Sequence, residues 1–241
     1  MMENKTILIG GCSYSESQKK FNNLIFNPDK DWYPWTDLLD DEFGKENNII
    51  NLARGSAGQS TIVSFLTKKL LELDFKVDMV LVQWSSPHRI FAEKESDLIE
   101  TINSQGIELL SQKGIDIFTK EYYEKIEKMG HDILYNSLLQ IFLFKNLLDF
   151  KGIKYNFFWG WCDNKIDLSN QSFILDKIYD KNFLRYRTAS GKEDGGMHDY
   201  ANLVLGENNS QVEDGHPNSE AHKVFYNHVI RPLLFQKYIL I

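Results

Sequence analysis

The stretch TILIGGCS, residues 6–13, is a short apolar run followed by two glycines, a cysteine and a serine. The run from Thr6 to Gly11 predicts a buried strand, because apolar residues bounded by turn residues are typical of one. Glycine adopts backbone conformations that other residues avoid, so Gly10 and Gly11 allow a sharp turn directly before Ser13. We therefore expect Ser13 at the carboxyl end of the first strand.

A second polar group lies near the other end of the chain, in the stretch EDGHPNSEAH from 213 to 222. Asp214 stands two residues before His216, and Pro217 restricts the backbone directly after the histidine. A serine, a histidine and a carboxylate can form a nucleophile, its general base and the group that orients this base. The sequence therefore predicts that folding brings the two ends of the chain together.

The chain between these ends alternates between predicted strands and helices. The predicted strands are 6–11, 48–53, 77–84 and 155–161, and the predicted helices are 35–43, 61–73 and 218–230, the last ended by Pro232. Near-continuous apolar strands that alternate with helices predict a parallel sheet between two helix layers. Residues 164–211 have weak periodicity and many turn residues, so we expect them to wrap around the surface.

The composition predicts one globular domain. The chain has 241 residues, of which 42% are hydrophobic and 25% charged, which is enough for one substantial core. We interpret 1–241 as a single domain with a mainly helical insertion at about 90–150. The sequence leaves the oligomeric state open.

Charge and hydropathy exclude several classes of function. The net charge of -7 and the absence of long lysine or arginine clusters argue against nucleic acid as a partner. The most apolar stretch, 133–150, is interrupted by polar residues, so we expect no membrane span. Only Cys12 and Cys162 are present, and the first apolar run is too short for a secretory signal. These features predict a cytoplasmic protein.

Four landmarks together resemble those of the SGNH (GDSL-like) hydrolases, particularly small phage and bacterial members with divergent blocks. They are the Ser13 turn, the glycine block NLARGSAGQS at 51–60, the segment QWSS at 83–86 and the histidine block. The resemblance covers the whole chain except about 90–150. It implies an α/β fold, a flavodoxin-like three-layer αβα sandwich with a central, mostly parallel sheet. It also implies ester hydrolysis or acyl transfer, often on O-acetylated sugars, without a cofactor.

The resemblance assigns the catalytic roles residue by residue. Ser13 occupies the position of the nucleophile, His216 that of the base and Asp214 that of the orienting carboxylate, with Glu213 as the alternative. Cys12 stands where the family has an aspartate that is not a member of the triad. Two other interpretations are that Cys12 itself is the nucleophile and that Ser13 only caps the following segment.

The expected oxyanion hole consists of the Ser13 N–H, the Gly58 N–H and the Ser85 hydroxyl, with Gly55 as the alternative to Gly58. A glycine can turn its N–H toward a bound carbonyl. Ser85 stands where the family has an asparagine, and its shorter side chain offers a single donor. Loss of such a donor costs about 10²–10³ in rate, so this replacement predicts a slow enzyme, or one that has lost catalysis.

Other polar and aromatic residues are weaker candidates. Trp84 and Arg89 could contact substrate, although a tryptophan at this position is more often a core residue and an arginine more often a solvated or paired one. His198 could approach the site from a loop. The spacing of His216 and His222 matches no common zinc pattern, so we expect no metal site and a packing role for His222.

These observations predict a serine esterase or acyltransferase that acts on a small acyl ester, with an O-acylated carbohydrate as the favoured substrate class. The alternative is a non-catalytic module of the same fold that binds a glycan or a protein partner, because two family blocks are replaced. A flavodoxin-like nucleotide-binding protein is disfavoured, because no G-x-G-x-x-G or Walker loop follows a strand.

Overall fold

The computed structural model describes residues 4–20, 32–55, 57–85, 90–93, 99–102, 130–160, 171–188, 191, 195–212 and 216–235. Four residues discussed above lie outside these ranges, namely Arg89, Cys162, Glu213 and Asp214. The predictions that concern them remain predictions.

The described part of the chain contains a five-stranded sheet in which every paired strand is parallel. Its strands are β1 (Thr6–Gly10), β2 (Asn48–Asn51), β3 (Met79–Trp84), β6 (Lys154–Trp159) and β7 (Phe183–Leu184). The order β2-β1-β3-β6-β7 is the flavodoxin-like order of doubly wound sheets. In such sheets a ligand binds where the chain reverses direction across the sheet, here between the carboxyl ends of β1 and β3.

Helices cover both faces of this sheet. They are α1 (Trp35–Phe43), α2 (Gln59–Glu72), α3 (Gly130–Lys151), α4 (Ser172–Ile178), α5 (Met197–Leu205), α6 (Glu207–Ser210), α7 (Ser219–Phe225) and α8 (Arg231–Phe235), with a π-helical turn at Tyr226–Ile230. Within the described ranges, none of the helices combines the length and the apolar character that a membrane crossing needs.

Alternation along β1 divides the core into two clusters. Leu8 packs into the cluster that contains residues of α2, α3 and α4, whereas Ile7 and Ile9 pack into the one that contains residues of α1, α5 and α7. Successive side chains of a strand point to opposite faces of its sheet, which explains this division. The predicted three-layer αβα sandwich is therefore confirmed.

The described residues of the region predicted as an insertion form a strand pair and a helix. β4 (Ile90–Glu93) and β5 (Ile99–Ile102) form an antiparallel pair. α3 is followed directly by β6, and Leu138, Ile141 and Leu148 on it are fully buried in the core. The helical part of this region therefore belongs to one layer of the sandwich.

Two predictions about the second half of the chain are wrong. Residues 164–211 do not only wrap the surface, since α4, β7 and α5 lie there and Met197 and Ala201 are fully buried. Pro232 does not end the last helix either. The chain passes through the π-helical turn and continues as α8, and Pro232 lies in the first turn of α8, where its missing N–H is tolerated.

Candidate active site

The nucleophile turn is the segment that follows β1 and includes the 3₁₀ turn Ser13–Ser15. The Ser15 N–H donates to the Cys12 carbonyl at 3.0 Å. A Cβ on Gly11 would lie 2.8 Å from the Ser15 Cβ and 3.2 Å from the Gln83 carbonyl oxygen. Only glycine therefore fits at this position, and the tight turn leaves Ser13 half-buried at the edge of the sheet.

Buried polar side chains form hydrogen bonds with residues of the nucleophile turn. The Ser15 hydroxyl donates to Gln83 Oε1 at 2.7 Å, and Gln83 Nε2 contacts Cys12 Sγ at 3.2 Å. The Trp35 indole N–H donates to Ser15 Oγ at 2.9 Å. Cys12 is fully buried in this arrangement, so its thiol is a packing group and we do not propose it as a nucleophile.

The His216 loop, of which residues 212 and 216–218 are described, is held by hydrogen bonds on both sides of the histidine. The Val212 N–H donates to the His216 carbonyl at 2.9 Å, and the Asn218 N–H donates to the Ser210 carbonyl at 2.9 Å. Asn218 Oδ1 accepts the Ala221 N–H at 2.9 Å and caps the start of α7. These bonds hold His216 at the end of the sheet where Ser13 also lies.

Ser13 Oγ and His216 Nε2 are 3.1 Å apart, within hydrogen-bond distance. For Nε2 to accept the hydroxyl proton, the proton of the neutral imidazole must be on Nδ1. That nitrogen is the one that an orienting carboxylate contacts in a serine triad. Glu213 and Asp214, the two predicted orienting residues, lie outside the described residues.

Two aromatic rings that the sequence analysis did not select flank His216. The Tyr14 ring centroid lies 5.3 Å from that of His216, and the Trp32 centroid lies 5.8 Å from it. His198 lies in the first turn of α5 and not in a loop, and its ring centroid is 6.3 Å from that of Tyr14 in an edge-on arrangement. The available signal was the position of Tyr14 directly after Ser13 and the aromatic run WYPW at 32–35.

The candidate oxyanion donors lie at the ends of neighbouring elements. Gly58 directly precedes α2, and neither its N–H nor that of Ser13 has an acceptor among the described residues. The Gly55 N–H, by contrast, donates to Glu16 Oε2 at 2.8 Å, which disfavours the Gly55 alternative. Ser85 is fully buried, and its hydroxyl has no hydrogen-bond partner in the described part of the chain.

Trp84 is a core residue, which corrects its interpretation as a substrate contact. It is fully buried, with its ring centroid 5.2 Å from that of Phe157 and 6.2 Å from that of Phe144. Side chains of β3 alternate between the faces of the sheet, and Trp84 points into the cluster with α2 and α3. Arg89, the other proposed substrate contact, lies outside the described residues.

His222 is also buried, as the sequence predicts. Desolvation lowers its pKa from 6.5 to about 3, and the nearby charge of His216 contributes in the same direction. Among the described residues, no three His, Cys, Asp or Glu side chains are grouped closely enough to hold a metal ion.

Comparisons with known proteins add evidence for the fold. No protein-family model matches the sequence, and no curated protein matches it significantly. The crystal structure of the psychrotrophic esterase EstA from Pseudoalteromonas sp., inhibited by monoethylphosphonate, is similar over 97% of this chain and 98% of that chain. Its TM-score is 0.52 at 12% sequence identity.

Two further structures are similar at lower scores. One is described as a GDSL-like lipase from Parabacteroides merdae, with a TM-score of 0.44, 12% identity and 94% of each chain covered. The other is a catalytic mutant of Axe2, an acetylxylan esterase from Geobacillus stearothermophilus, with a TM-score of 0.49, 10% identity, and 96% of this chain and 94% of that chain covered. At 12% identity, the similarity to EstA is evidence for the fold alone. The chain has the α/β fold of the SGNH (GDSL-like) hydrolases, as its sequence landmarks predict.

Proposed function

We propose that the protein is an SGNH-like serine esterase in which Ser13 is the nucleophile and His216 the general base. The observation that carries this proposal is the 3.1 Å distance between Ser13 Oγ and His216 Nε2, at the carboxyl edge of a sheet with the matching fold. A serine hydroxyl is a weak nucleophile unless a base takes its proton, and this distance permits that transfer.

The proposed reaction has two halves. Ser13 Oγ attacks the acyl carbonyl carbon and its proton passes to His216 Nε2, which then gives it to the leaving alkoxide oxygen. Water attacks the acyl-serine in the second half, His216 takes a proton from that water, and the acid leaves as Ser13 regains its proton. If a second hydroxyl replaces water, the same steps give acyl transfer. Asp214, or Glu213 instead, is the proposed orienting carboxylate.

The proposed oxyanion hole consists of the Ser13 N–H, the Gly58 N–H and the Ser85 hydroxyl. Support comes from the two N–H groups and the hydroxyl, which have no acceptor or partner among the described residues. Buried polar groups are almost always hydrogen-bonded, so an unpartnered one at a candidate site is consistent with a ligand that completes it. Donors placed before the reaction stabilise the oxyanion without reorganisation.

The proposed substrate is a small acyl ester, with O-acylated carbohydrates as the favoured class. This part follows from the resemblance in the sequence. The alternative, a non-catalytic module that binds a glycan or a protein partner, predicts a folded protein in which Ser13 is unreactive.

Hydrolysis of a panel of short-chain nitrophenyl esters tests the proposal. Wild type should hydrolyse the shorter esters, and Ser13→Ala should lower kcat by about 10⁴-fold or more, as removal of a serine nucleophile does elsewhere. Ser64→Ala, an exposed serine on α2, is the matched control and should behave as wild type. Equal hydrolysis by Ser13→Ala and wild type would overturn the proposal.

A further inference from the structure

His222 lies beside the candidate catalytic pair and is held by groups from another part of the chain. It is fully buried on α7. The Trp32 indole N–H donates to its Nε2 at 2.9 Å, whereas the Trp35 backbone N–H lies 3.3 Å from its Nδ1. A neutral imidazole accepts at only one nitrogen, and the shorter contact identifies Nε2 as that nitrogen. His222 therefore joins α7 to the segment that leads into α1.

The same segment holds the nucleophile turn. The Trp35 indole N–H donates to Ser15 Oγ at 2.9 Å, and the Thr36 hydroxyl donates to the Ser15 carbonyl at 3.1 Å. The short stretch 32–36 thus contacts the turn that carries Ser13 and also the helix that follows the His216 loop. The stretch 32–36 therefore links the segment that carries Ser13 to the helix that follows His216.

Trp32 also packs against His216 itself. Its ring is tilted by 52° to the His216 ring, with the centroids 5.8 Å apart. Its plane lies at 29° to that of the His222 ring, with the centroids 6.4 Å apart, so the two rings meet edge to edge through the hydrogen bond. A hydrogen bond from the indole N–H fixes the rotation of the indole plane. The bond to His222 therefore also fixes the indole ring that packs against His216, the proposed base.

We infer that His222 is a positioning residue, which accepts the Trp32 indole N–H and thereby fixes the His216 ring relative to Ser13. This inference rests on the proposed function, because it concerns the geometry of the Ser13 and His216 pair. A neutral imidazole has one acceptor nitrogen and a protonated one has none, so His222 can act in this way only when it is neutral. Its buried position keeps it neutral at ordinary pH.

Three variants separate the hydrogen bond from the packing. His222→Phe keeps an aromatic ring of similar size and removes the acceptor. His222→Gln restores an acceptor oxygen near the position of Nε2. Trp32→Phe keeps an aromatic face toward His216 and removes the donor. His228→Phe is the matched control, because His228 is exposed and contacts Tyr200 instead of the site.

The measurement is the second-order rate constant with which a fluorophosphonate modifies Ser13, determined over a range of pH. In this reaction the Ser13 oxygen forms a bond to phosphorus, the phosphorus–fluorine bond breaks, fluoride leaves and His216 takes the proton. A misplacement of about 1 Å costs about 10²-fold in rate, and a partial one correspondingly less. We expect His222→Phe and Trp32→Phe to be slower than wild type by at least about 10-fold.

The pattern among the variants identifies the role. His222→Gln should recover most of the rate, His228→Phe should match wild type, and the His222→Phe/Trp32→Phe double variant should be no slower than the slower single variant, because both changes remove the same bond. The pH profile of the rate should also change in His222→Phe and return to that of wild type in His222→Gln. Thermal unfolding of each variant verifies that it is folded.

Three results would overturn the inference alone: a folded His222→Phe that reacts as fast as wild type, a His222→Gln as slow as His222→Phe, or additive losses in the double variant. If His222→Phe does not fold, a wild-type rate in Trp32→Phe would overturn the inference instead. A folded wild type that does not react at all would instead overturn the proposed function, and the inference with it.

Discussion

Ser85 is the residue at which this chain departs most from the family whose fold it has. Its side chain is fully buried, its hydroxyl has no partner in the described part of the chain, and its carbonyl accepts the Gln59 side-chain amide at 2.6 Å. The carbonyl bond fixes the backbone at the end of β3 beside the start of α2. A hydroxyl held there without a partner gains a bond only when a ligand or water supplies one.

Ser85→Ala should therefore affect catalysis and stability differently. Because the hydroxyl makes no bond to described residues, its removal should leave the free energy of unfolding nearly unchanged. The loss of an oxyanion donor should lower kcat by about 10²-fold or more, with little change in KM. Denaturant unfolding and ester hydrolysis measure the two effects. Unchanged kcat in Ser85→Ala would remove Ser85 from the proposed oxyanion hole.

At the same scale, two local features of the sequence indicate Ser13 and His216 as candidate residues, the glycine pair at 10–11 and the proline at 217. The structure brings Ser13 Oγ within 3.1 Å of His216 Nε2, and their catalytic roles stay predictions. Trp32 was not predicted as part of the site. Its role depends on where the segment before α1 meets α7, and no pattern within either segment encodes that contact. The sequence predicts a substrate contact for Trp84 for a related reason. A strand sequence alone does not show which face of the sheet a helix covers.

Among the elements, the predicted strands and the first two helices agree with the structure to within a few residues. α1 agrees at both ends, since Gly44 follows it directly. α4 and β7 were missed because seven and two residues are too few to show periodicity. The end of the last helix was misplaced at Pro232, because a π-helical turn changes the register before the proline.

The cap of α7 gives a prediction for an element. Asn218→Ala removes the acceptor for the Ala221 N–H and the donor to the Asn209 carbonyl, so the free energy of unfolding should fall by about 1 kcal/mol. Because the cap also fixes the His216 loop, kcat should fall several-fold while KM changes less. Asn218→Asp, which keeps the capping acceptor, should recover most of the stability. Equal stability of Asn218→Ala and wild type would show that the cap does not hold the loop.

At the scale of the whole molecule, the fold brings Ser13 and His216 together where the strand order reverses direction across the sheet. β1 and β3 are neighbours, and the turn after β1 and the His216 loop meet above them. α7 packs on the sheet face that also carries α1. The sequence predicts this convergence from the serine near one end and the histidine block near the other, whereas the bonds that fix its geometry come from segments far apart in the chain.

The burial of His222 predicts how the stability of the molecule depends on pH. Its pKa is about 3 in the folded protein and 6.5 when unperturbed, so between these values the unfolded chain binds more protons than the folded one. Stability from this group is therefore complete above pH 6.5 and is lost as the pH falls toward 3. Urea unfolding across this range should show the loss in wild type and a weaker pH dependence in His222→Gln. An equal pH dependence of the free energy of unfolding in both proteins would contradict the lowered pKa of His222.

The most direct test of the central claim, that Ser13 is an activated nucleophile, is mass spectrometry of the protein after reaction with a fluorophosphonate. We predict one adduct per chain, located on the peptide that contains Ser13, absent in Ser13→Ala and strongly reduced in His216→Ala. The Ser64→Ala control should carry the same adduct as wild type. A folded wild-type protein that forms no adduct, or forms it at another residue, would contradict the account.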